Sequence, residues 1–402
     1  MKPTFFGKGG AFLVLSTSLS AAALADPSFT ISPISISGAN YISATSASSN
    51  GLLAGYAGFL NGIPNGPYVG VAGVTTDANA QNPSLTAPIW GGISTQVGQA
   101  HLYGINSLGV SVGDSYVRNA TNTTTYTHAV VNNGGTLTDI GTLGGISSFA
   151  YGINDAGTVV GYSTTGSGSN HAYSYSGGTM TDIGTLSGGT FSQANAINAN
   201  GTIVGTATTS GTSYQHAFKY QNGVMTDLGL TTGVNTTYGL AVSNNGYVAG
   251  YGVDSSFNNR AIADFGSGFQ DLGYLYTTSS GARMSMMAKG VNSYGDVVGY
   301  TSYTGGARHA FLYQGGTLYD LNNYLPKEYF GWTIWSAESI NDEGYIAATV
   351  LDSSSSIPHT RAALLKINTV PEPSSVAGIA FLSLGFLRRR KNSNRSVSVR
   401  MD

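Results

Sequence analysis

Cysteine is absent from the 402-residue chain, and charged residues are scarce. Asp, Glu, Lys and Arg together make up 9% of the sequence, against about 25% in average soluble proteins. The absence of cysteine excludes a disulfide scaffold and a thiolate metal site. The shortage of Glu and Lys, together with 57 glycines, argues against a helix-rich fold, because glycine weakens helices and the charged helix formers are missing.

Basic residues are few in the body of the chain. From Asp26 to Val370 the sequence holds 17 acidic and 9 basic residues. A nucleic-acid-binding protein needs a basic patch or stripe, so we expect no nucleic-acid partner. The abundant residues are glycine, serine and threonine, a composition typical of an all-β protein.

Residues 1–25 have the order of parts of a secretory signal peptide. Lys2 and Lys8 precede the apolar stretch from Ala11 to Leu15, and Ala23-Leu24-Ala25 supplies a small-residue cleavage site. The apolar stretch is too short for a membrane-spanning helix. We therefore expect secretion, with a mature chain that begins at Asp26.

A second targeting signal is predicted over residues 370–391. Pro371, Glu372 and Pro373 precede the apolar segment from Ser374 to Leu387, and a basic cluster from Arg388 to Lys391 follows it. An apolar segment with a basic end is typical of a membrane stop signal whose basic side stays in the cytoplasm. Its 14 residues predict a short hydrophobic helix that enters the membrane transiently, since a permanent span needs about 20 residues. Residues 392–402 form a basic tail.

This segment resembles the PEP-CTERM sorting signal of Gram-negative bacteria that produce exopolysaccharide. The resemblance implies that Pro371, Glu372 and Pro373 form the motif recognised by an exosortase. It also implies transient contact with the inner membrane, removal of the tail, and delivery to the cell surface or to the extracellular matrix of a biofilm, where exopolysaccharide is a candidate partner.

Between the two signals lies an internal repeat of the form apolar-Asn-x-x-Gly-x-apolar-apolar-Gly. Four copies are clear: Ile105 to Gly113, Ile153 to Gly161, Ile197 to Gly205, and Val291 to Gly299. Degenerate copies are Asn50 to Gly55, Val242 to Gly250, and Ile340 to Ala348. We number the seven units 1 to 7 in chain order by their turn glycines: Gly51, Gly109, Gly157, Gly201, Gly246, Gly295 and Gly344.

Two further markers follow within the units. A His-Ala pair begins at His128, His171, His216 and His309, with Arg260 and Arg361 in the same place elsewhere. An Asp-apolar-Gly marker begins at Asp139, Asp182, Asp227 and Asp271, with a variant at Asp320. These residues resemble the HAF repeat, a family of predicted extracellular bacterial repeats, over residues 40 to 366. The resemblance implies no established activity.

Each unit is predicted to fold into four short strands joined by Asx-Gly and Gly-Gly turns. Four strands in about 45 residues, repeated, are typical of a β-propeller blade, with a β-solenoid as the alternative. Unit 7 lacks a final strand, and the alternating segment from Phe29 to Ile36 precedes unit 1. We therefore predict an all-β, seven-bladed propeller over residues 26–369, closed by this N-terminal strand.

The repeated histidines and aspartates are interpreted as structural. Equivalent positions lie one blade apart and do not converge as metal ligands do. We expect each His and Asp to stabilise its own blade by local hydrogen bonds. The sequence contains no recognisable catalytic, phosphate-binding or calcium-binding motif, so we predict no cofactor, no metal and no enzymatic activity.

Variable loops are the predicted binding region, because binding residues concentrate on loops held by a rigid scaffold. The connections between the second and third strands and between successive blades vary in length and emerge on one face. Their aromatic rings and arginines suit sugar rings or a protein surface. The candidate binding residues are Tyr116, Arg118, Tyr276, Arg283, Tyr329, Trp332 and Trp335. Burial between blades is the alternative role for Trp332 and Trp335.

The function predicted from the sequence is a non-catalytic binding or structural component of the extracellular matrix, with polysaccharide as the candidate ligand. A carbohydrate-active enzyme, a glycan hydrolase or lyase that uses the loop face, is the alternative. Glu328, Glu338 and Glu343 lie within 16 residues of one another, and paired carboxylates cleave glycans when their separation is right. A purely structural matrix protein is a third hypothesis.

Overall fold

The structure is a computed structural model that describes residues 27–34, 41–58, 66–71, 100–118, 125–134, 136–210, 214–303, 306–353 and 359–368. Nearly all regular structure in these ranges is β. The first four strands are β1 (Phe29–Ile34), β2 (Tyr41–Ala47), β3 (Leu52–Gly58) and β4 (Gly66–Val71). The next four are β5 (Ala100–Ile105), β6 (Ser111–Arg118), β7 (Thr125–Asn133) and β8 (Thr136–Asp139).

The middle of the chain repeats this pattern. Unit 3 forms β9 (Gly144–Ile153), β10 (Val159–Thr165), β11 (Asn170–Ser176) and β12 (Thr179–Gly184). Unit 4 forms β13 (Ser192–Ile197), β14 (Ile203–Thr208), β15 (Gln215–Gln221) and β16 (Val224–Asp227). Unit 5 forms β17 (Thr236–Val242), β18 (Val248–Val253), β19 (Asn259–Asp264) and β20 (Phe269–Asp271).

The last two units complete the set. Unit 6 forms β21 (Met286–Val291), β22 (Val297–Ser302), β23 (Arg308–Gln314) and β24 (Thr317–Asp320). Two short 3₁₀ helices, Leu321–Tyr324 and Lys327–Tyr329, lead into unit 7. Unit 7 forms β25 (Trp332–Ile340), β26 (Tyr345–Asp352) and β27 (His359–Ile367).

The strands form six sheets, each the blade of a β-propeller. Five are four-stranded antiparallel meanders that contain β5–β8, β9–β12, β13–β16, β17–β20 and β21–β24. The first strand of each meander contacts the first strand of the next, and β25 in turn contacts β2, so the sheets close into a ring around a central axis. This arrangement confirms the predicted all-β propeller of four-stranded blades.

The predicted number of blades, seven, is wrong: there are six. The strands of unit 7 and of unit 1 belong to one seven-stranded sheet, in the order β25-β26-β27-β2-β3-β4, with β1 also paired to β27. A single parallel bridge between Tyr41 and Thr360 joins the two halves of that sheet. Repeat number and blade number therefore differ, because β27 pairs with β1 along its length and also touches β2.

The predicted closure by the N-terminal strand is confirmed. β1 pairs antiparallel with β27 from Phe29 opposite Ile367 to Ile34 opposite Ala362. Phe29, Ile31 and Ile34 are buried in the two hydrophobic clusters that flank β27. The strand thereby covers a sheet edge and joins the two ends of the described chain.

Asparagine side chains connect the turns of all seven units in a closed ring. In most units the first turn residue is Asn, and its amide donates to the backbone carbonyl of the next unit's turn. In units 1 and 5 the first turn residue is Ser48 or Ser243, and the asparagine two residues later makes the bond instead. The donor and acceptor pairs are Asn50 and Ser107, Asn106 and Asn154, Asn154 and Asn198, Asn198 and Ser243, Asn245 and Ser293, Asn292 and Asn341, and Asn341 and Ser48.

The His and Asp markers join the third and fourth strands of the same blade, as predicted. In unit 3, His171 Nδ1 lies 2.7 Å from Asp182 Oδ2, and the other carboxylate oxygen accepts from Gly184 N at 2.7 Å. The pairs His128–Asp139, His216–Asp227 and His309–Asp320 are arranged in the same way. Each aspartate thus fixes both a turn and a strand pair.

Hydroxyl groups attach each of three blades to its successor. Ser192 Oγ accepts from Ala172 N of the preceding blade at 2.8 Å and donates to the carbonyl of Gly184. Ser148 and Thr237 make the same two bonds to their preceding blades. The serine or threonine therefore satisfies backbone groups that the blade boundary would otherwise leave unpaired.

Several sequence-based predictions fall outside the described residues. These are the signal peptide over residues 1–25, the sorting segment over 370–391 with its hydrophobic helix and its Pro371, Glu372 and Pro373 motif, and the tail over 392–402. Across the part of the chain that the structure covers, no helix is both long and apolar enough to cross a membrane.

Candidate functional site

The ring of first strands encloses a central channel of about 530 Å³. Its walls come from β2, β5, β9, β13, β17, β21 and β25, one strand from each unit. This volume falls within the range of about 300–1,000 Å³ that is usual for small-molecule sites. The channel is therefore a concavity into which all seven units project.

Each of the seven channel strands carries a β-bulge, and the bulged residue lines the channel. The register shifts by one residue at the same place in every unit, so one residue has no partner on the second strand. We call these residues the bulge ring: Thr45, Tyr103, Tyr151, Asn195, Leu240, Lys289 and Glu338. A bulge of this kind re-aims a side chain, here toward the axis.

The residues around the bulge ring are constrained by close backbone contacts. A glycine of the second strand faces each of five bulges. A Cβ on Gly205, for example, would lie 2.0 Å from the carbonyl oxygen of Gln193. The other four are Gly113, Gly161, Gly250 and Gly299, where an added Cβ would lie 1.7 to 1.9 Å from a carbonyl oxygen of the bulged strand. The last residue of the repeat motif is thus glycine because the backbone of the bulged strand occupies the place where a side chain would lie.

One pair of opposite charges lies in the bulge ring. Lys289 Nζ and Glu338 Oε2, from neighbouring units, are 3.6 Å apart. Their side chains are 32% and 20% exposed, so both can reach a molecule in the channel. The separation exceeds hydrogen-bond length, and each group therefore retains most of its capacity to donate or accept.

Two tyrosines form an aromatic wall in units 2 and 3. The rings of Tyr103 and Tyr151 lie 5.4 Å apart and are inclined by 51°. Burial raises the pKa of both phenols, and the carboxylate of Asp114 adds to the effect. Both hydroxyls therefore stay protonated at neutral pH. The Tyr103 hydroxyl is hydrogen-bonded to Asp114 and the Tyr151 hydroxyl to Tyr162, so each phenol oxygen can still accept a hydrogen bond.

Two polar members of the ring are held by the protein. Asn195 Nδ2 donates to the carbonyl of Gly239 in the next unit at 2.7 Å, and its Oδ1 accepts from Gln193 Nε2 at 2.7 Å. Thr45 Oγ1 lies 3.0 Å from the carbonyl oxygen of Ala54 and 2.9 Å from that of Leu102. These side chains are fixed parts of the wall.

Next to the bulge ring lies an apolar layer, and beyond it the Asn-ring turns form the mouth. The apolar layer consists of Ala47, Ile105, Ile153, Ile197, Val242, Val291 and Ile340, which line both the channel and the smaller hollow at the mouth. At the mouth, the Asp155 carboxylate accepts from Ser107 N, and Asp342 accepts from Ser293 N. These two aspartates are thus engaged in holding turns together.

The predicted binding residues lie elsewhere, and the structure does not gather them into one site. Tyr276 and Arg283 share the connection between β20 and β21, where Met284 N donates to the carbonyl of Tyr276 at 3.0 Å. Arg283 Nη1 lies 2.9 Å from Asp271 Oδ2, and its guanidinium carbon is 4.7 Å from the ring centre of Tyr274. This arginine is half-exposed and held in place.

Tyr276 packs into a cluster around the His309–Asp320 pair. Its hydroxyl donates to Asp320 and lies 3.4 Å from His309 Nδ1. The Tyr303 ring stacks on His309 with ring centres 4.4 Å apart. Burial would raise the pKa of Asp320, but the hydrogen bonds from Tyr276, His309 and Asn322 outweigh it and hold that pKa below its usual value. Tyr276 therefore stabilises a blade.

Tyr329 and Trp332 form a second aromatic group at the connection between β24 and β25. Their ring centres are 5.0 Å apart, and Arg361 lies 5.9 Å from the Trp332 ring. The Tyr329 hydroxyl donates to the carbonyl of Ile31 in the closing strand at 3.1 Å. Phe330 is 91% exposed beside them. This group is the aromatic platform.

Four predicted loop residues belong to strands. Tyr116 and Arg118 lie in β6, and Trp335 lies in β25 at an additional bulge between Ile334 and Ser336. Trp332 is also the first residue of β25. Aromatic residues favour strands, so these connections are shorter than the variable spacing predicted. The indole nitrogen of Trp335 is buried and has no hydrogen-bond partner.

The three glutamates lie in different settings. Glu338 belongs to the bulge ring, Glu343 lies in the Asn341 turn at the mouth, and Glu328 lies in the 3₁₀ helix of the loop face. Their closeness in sequence therefore reflects one strand that runs from the loop face, along the channel, to the mouth.

Sequence reasoning missed the bulge ring. The only mark in the sequence is a variable residue within an otherwise repeated segment, three places before the first turn residue. Its neighbour toward the turn is always small, as at Gly104, Gly152 and Gly290, because the next unit's backbone lies against it. The repeat is recognised by the residues that recur in every unit, and the bulged position is not one of them.

Comparisons with known proteins show no family for this chain. No family model matches the chain, and no curated protein matches it. The β-propeller domain of the Trilobed protease from Pyrococcus furiosus is similar at a TM-score of 0.49 and 10% identity, over 83% of this chain and 99% of that one. TolB from Acinetobacter baumannii has a TM-score of 0.37 and 13% identity, over 64% of this chain and 65% of that one.

A gluconolactonase from Xanthomonas campestris is similar at a TM-score of 0.36 and 10% identity, over 65% of this chain and 90% of that one. Likenesses of this size carry no argument about activity. The assignment as a β-propeller depends on the sheets and on their closed ring of contacts described above.

Proposed function

We propose that this chain is a secreted, surface-sorted bacterial matrix protein of the HAF-repeat type, which binds polysaccharide without cleaving it. The sequence signals at residues 1–25 and 370–391 support the destination. The closed propeller supports the binding role, because it holds variable connections on a rigid frame.

The aromatic platform carries the proposal for polysaccharide. Phe330 is 91% exposed, and its neighbours in the chain, Tyr329 and Trp332, are partly buried with their ring centres 5.0 Å apart. Exposed rings with polar edges provide flat apolar faces and hydrogen-bonding rims, which suit the alternating faces of sugar rings. Phe257, which is 88% exposed in the connection between β18 and β19, adds a second ring on the same face.

The experiment is retention on immobilised polysaccharide by the full chain and by F330A/W332A. We expect the double variant to lose most of the retention while its circular dichroism spectrum stays that of the wild type. Y294A is the matched control, since Tyr294 is a 77% exposed ring in the turn of unit 6, on the opposite face. Equal retention by wild type and F330A/W332A would contradict the role of the platform.

A second measurement separates binding from catalysis. The same incubation is assayed for new reducing ends and for unsaturated sugar products, which a hydrolase or a lyase would release. We expect retained, intact polysaccharide. Released product would instead support the carbohydrate-active enzyme. If the chain neither retains the polysaccharide nor releases product from it, the result would support a purely structural matrix protein.

Sorting is tested in a bacterium with and without its exosortase. We expect the wild-type chain to reach the cell surface only when the exosortase is present. A chain in which Pro371, Glu372 and Pro373 are all alanine should stay at the inner membrane in both strains. Surface delivery of that variant would contradict the assignment of the sorting motif.

A further inference from the structure

We propose that the bulge ring is a second binding site, which takes a neutral sugar, either free or at the end of a glycan, inside the central channel. The site is distinct from the aromatic platform and does not depend on it. Its residues come from the inner strands, whereas the platform lies at the connection between β24 and β25.

The first argument is that the bulge ring is where the units differ. Structural positions repeat: the turn asparagines close the hydrogen-bonded ring, and the glycines opposite the bulges fill the same space in five units. The bulge positions are geometrically equivalent, yet they hold Thr, Tyr, Asn, Leu, Lys and Glu. A shared packing role would select one residue type, as it does at the glycines. Different chemistry at equivalent positions indicates a ligand with different groups on its different sides.

The second argument is charge. Lys289 and Glu338 are the only charged residues that line the channel within the described chain, and they lie 3.6 Å apart. Their charges cancel, so the channel favours an uncharged ligand. A lysine ammonium offers three donors and a carboxylate offers two acceptor oxygens. Adjacent sugar hydroxyls, each a donor and an acceptor, match this pair.

The third argument is the aromatic wall. Tyr103 and Tyr151 belong to units 2 and 3, whereas the charged pair belongs to units 6 and 7, so the two groups lie on different sides of the ring. The tyrosine rings offer apolar faces, and their hydroxyl oxygens, whose protons are bonded to Asp114 and Tyr162, can accept hydrogen bonds. Leu240 adds apolar surface in unit 5. A ligand between these walls meets polar groups on one side and rings on another, as the two faces of a pyranose require.

The fourth argument is rigidity. Each wall residue stands on a bulge held between its own second strand and its neighbours, and Asn195 is fixed by hydrogen bonds at both ends of its amide. A binding site whose groups are already positioned loses little conformational entropy when the ligand enters. The channel, at about 530 Å³, holds a small ligand without rearrangement.

The experiment is titration of the full chain with glucose, galactose, mannose and N-acetylglucosamine, followed by tyrosine fluorescence and by calorimetry. Glucuronic acid and glucosamine serve as charged probes. We expect saturable binding of at least one neutral sugar, and binding at least tenfold weaker for both charged probes. Failure of all four neutral sugars to bind, or tighter binding of a charged probe, would overturn the proposal.

Variants locate the site. E338Q and Y151F each remove one hydrogen-bonding function with little change of shape, and we expect each to weaken binding of the neutral sugar about tenfold. E328Q is the matched control, because Glu328 lies in the 3₁₀ helix outside the channel. If E338Q fails to fold, K289Q replaces it. Unchanged affinity in both E338Q, or K289Q in its place, and Y151F would overturn the proposal.

The platform variant keeps the two proposals apart. F330A/W332A should lose retention on polysaccharide and bind the neutral sugar with wild-type affinity. If it loses retention while no sugar enters the channel, the platform stands and the channel proposal fails. If retention is unaffected while E338Q loses sugar binding, the channel proposal stands and the platform fails.

Discussion

The side-chain amide of Asn341 donates a hydrogen bond to the backbone carbonyl of Ser48, 2.7 Å away and 293 residues earlier in the chain. This bond joins the last repeat to the first. Six similar bonds join the other units, so the turns form a continuous ring at one mouth of the channel. A buried amide that loses its partner costs free energy, which makes each member of the ring a point where the propeller can be weakened.

Replacing Asn154 by alanine should destabilise the protein by about 1–3 kcal/mol. Asn154 is buried, its Nδ2 donates to the carbonyl of Asn198 at 3.1 Å, and its Oδ1 accepts from Thr158 N at 3.0 Å. Thr158 N would lose its acceptor, whereas the carbonyl of Asn198 would keep the hydrogen bond from Gly201 N. Urea unfolding of wild type and variant measures the change.

In units 1 and 5 a serine stands at the first turn position and the asparagine two residues later makes the bond to the next unit. The same arrangement can be used to restore stability in unit 3. In unit 5, Ser243 stands at the first turn position and Asn245 makes the bond to the next unit. N154S/A156N would recreate this Ser-x-Asn arrangement in unit 3. We expect it to be more stable than N154S alone. A double variant no more stable than N154S would show that position, rather than the amide, decides the bond.

Replacing Gly205 by alanine should destabilise the protein by about 1–3 kcal/mol or more, as overpacked cores do. The new methyl group would lie 2.0 Å from the carbonyl oxygen of Gln193 and 2.8 Å from the ring of Phe218. The bulge opposite would have to shift. G166A is the control, since its Cβ would meet nothing nearer than 3.8 Å, and we expect a change within about 0.5 kcal/mol. Thermal unfolding compares them.

His101 should titrate above its ordinary pKa of about 6.5. Its hydrogen bond to Asp114, 3.3 Å away, raises the pKa, burial lowers it, and the charge of Asp114 raises it further. Because the folded-state pKa exceeds the unfolded one, the stabilisation is complete below pH 6.5 and is lost as the pH rises through the folded pKa.

An NMR titration of the imidazole, with unfolding free energies at pH 5.5 and 8.5, checks this pair. In D114N we expect the pKa of His101 to fall and the pH dependence of stability to shrink. An unchanged His101 pKa in D114N would contradict the assignment of the shift to this carboxylate.

Replacing Ile34 by alanine should cost about 2–5 kcal/mol. Ile34 is fully buried in the closing strand, where it packs with Leu53, Ala347 and Leu364. The loss would weaken the pairing of β1 with β27 and expose a sheet edge, so we also expect aggregation on heating. T30A is the control, because Thr30 is exposed on the same strand. Equal unfolding temperatures for both variants would contradict a closing role for this strand.

Much of the local structure could be predicted from the sequence. In unit 3 the Asn154-Asp155-Ala156-Gly157 segment forms the expected turn, with Gly157 at a φ of +78° that favours glycine. The prediction that His171 and Asp182 make hydrogen bonds within their own blade was correct, as was the closing role of the segment at Phe29. The turn and the His and Asp hydrogen bonds depend on residues close in sequence, and the closing strand was indicated by a last unit that lacks one strand. The repeat pattern of the sequence shows both.

The candidate site could not be predicted in the same way. Binding residues were predicted in the long connections, yet Tyr116, Trp332 and Trp335 lie in strands. Glu338 was considered only with Glu328 and Glu343, its neighbours in sequence, whereas a bulge places it beside Lys289 in the channel. A bulge arises from the contact of two strands with the next blade, and no single residue type encodes it.

The sequence by itself determined that the chain repeats, that its repeats are short antiparallel strands, and that its N-terminal strand covers the last of them. Turn residues and alternating apolar residues favour turns and strands over a few positions, and this preference does not depend on the tertiary structure. Tertiary structure alone decided that there are six blades, because one bridge between Tyr41 and Thr360 unites units 1 and 7. It also decided which side chains meet at the axis, since seven residues about 45 positions apart share a channel only once the ring has closed.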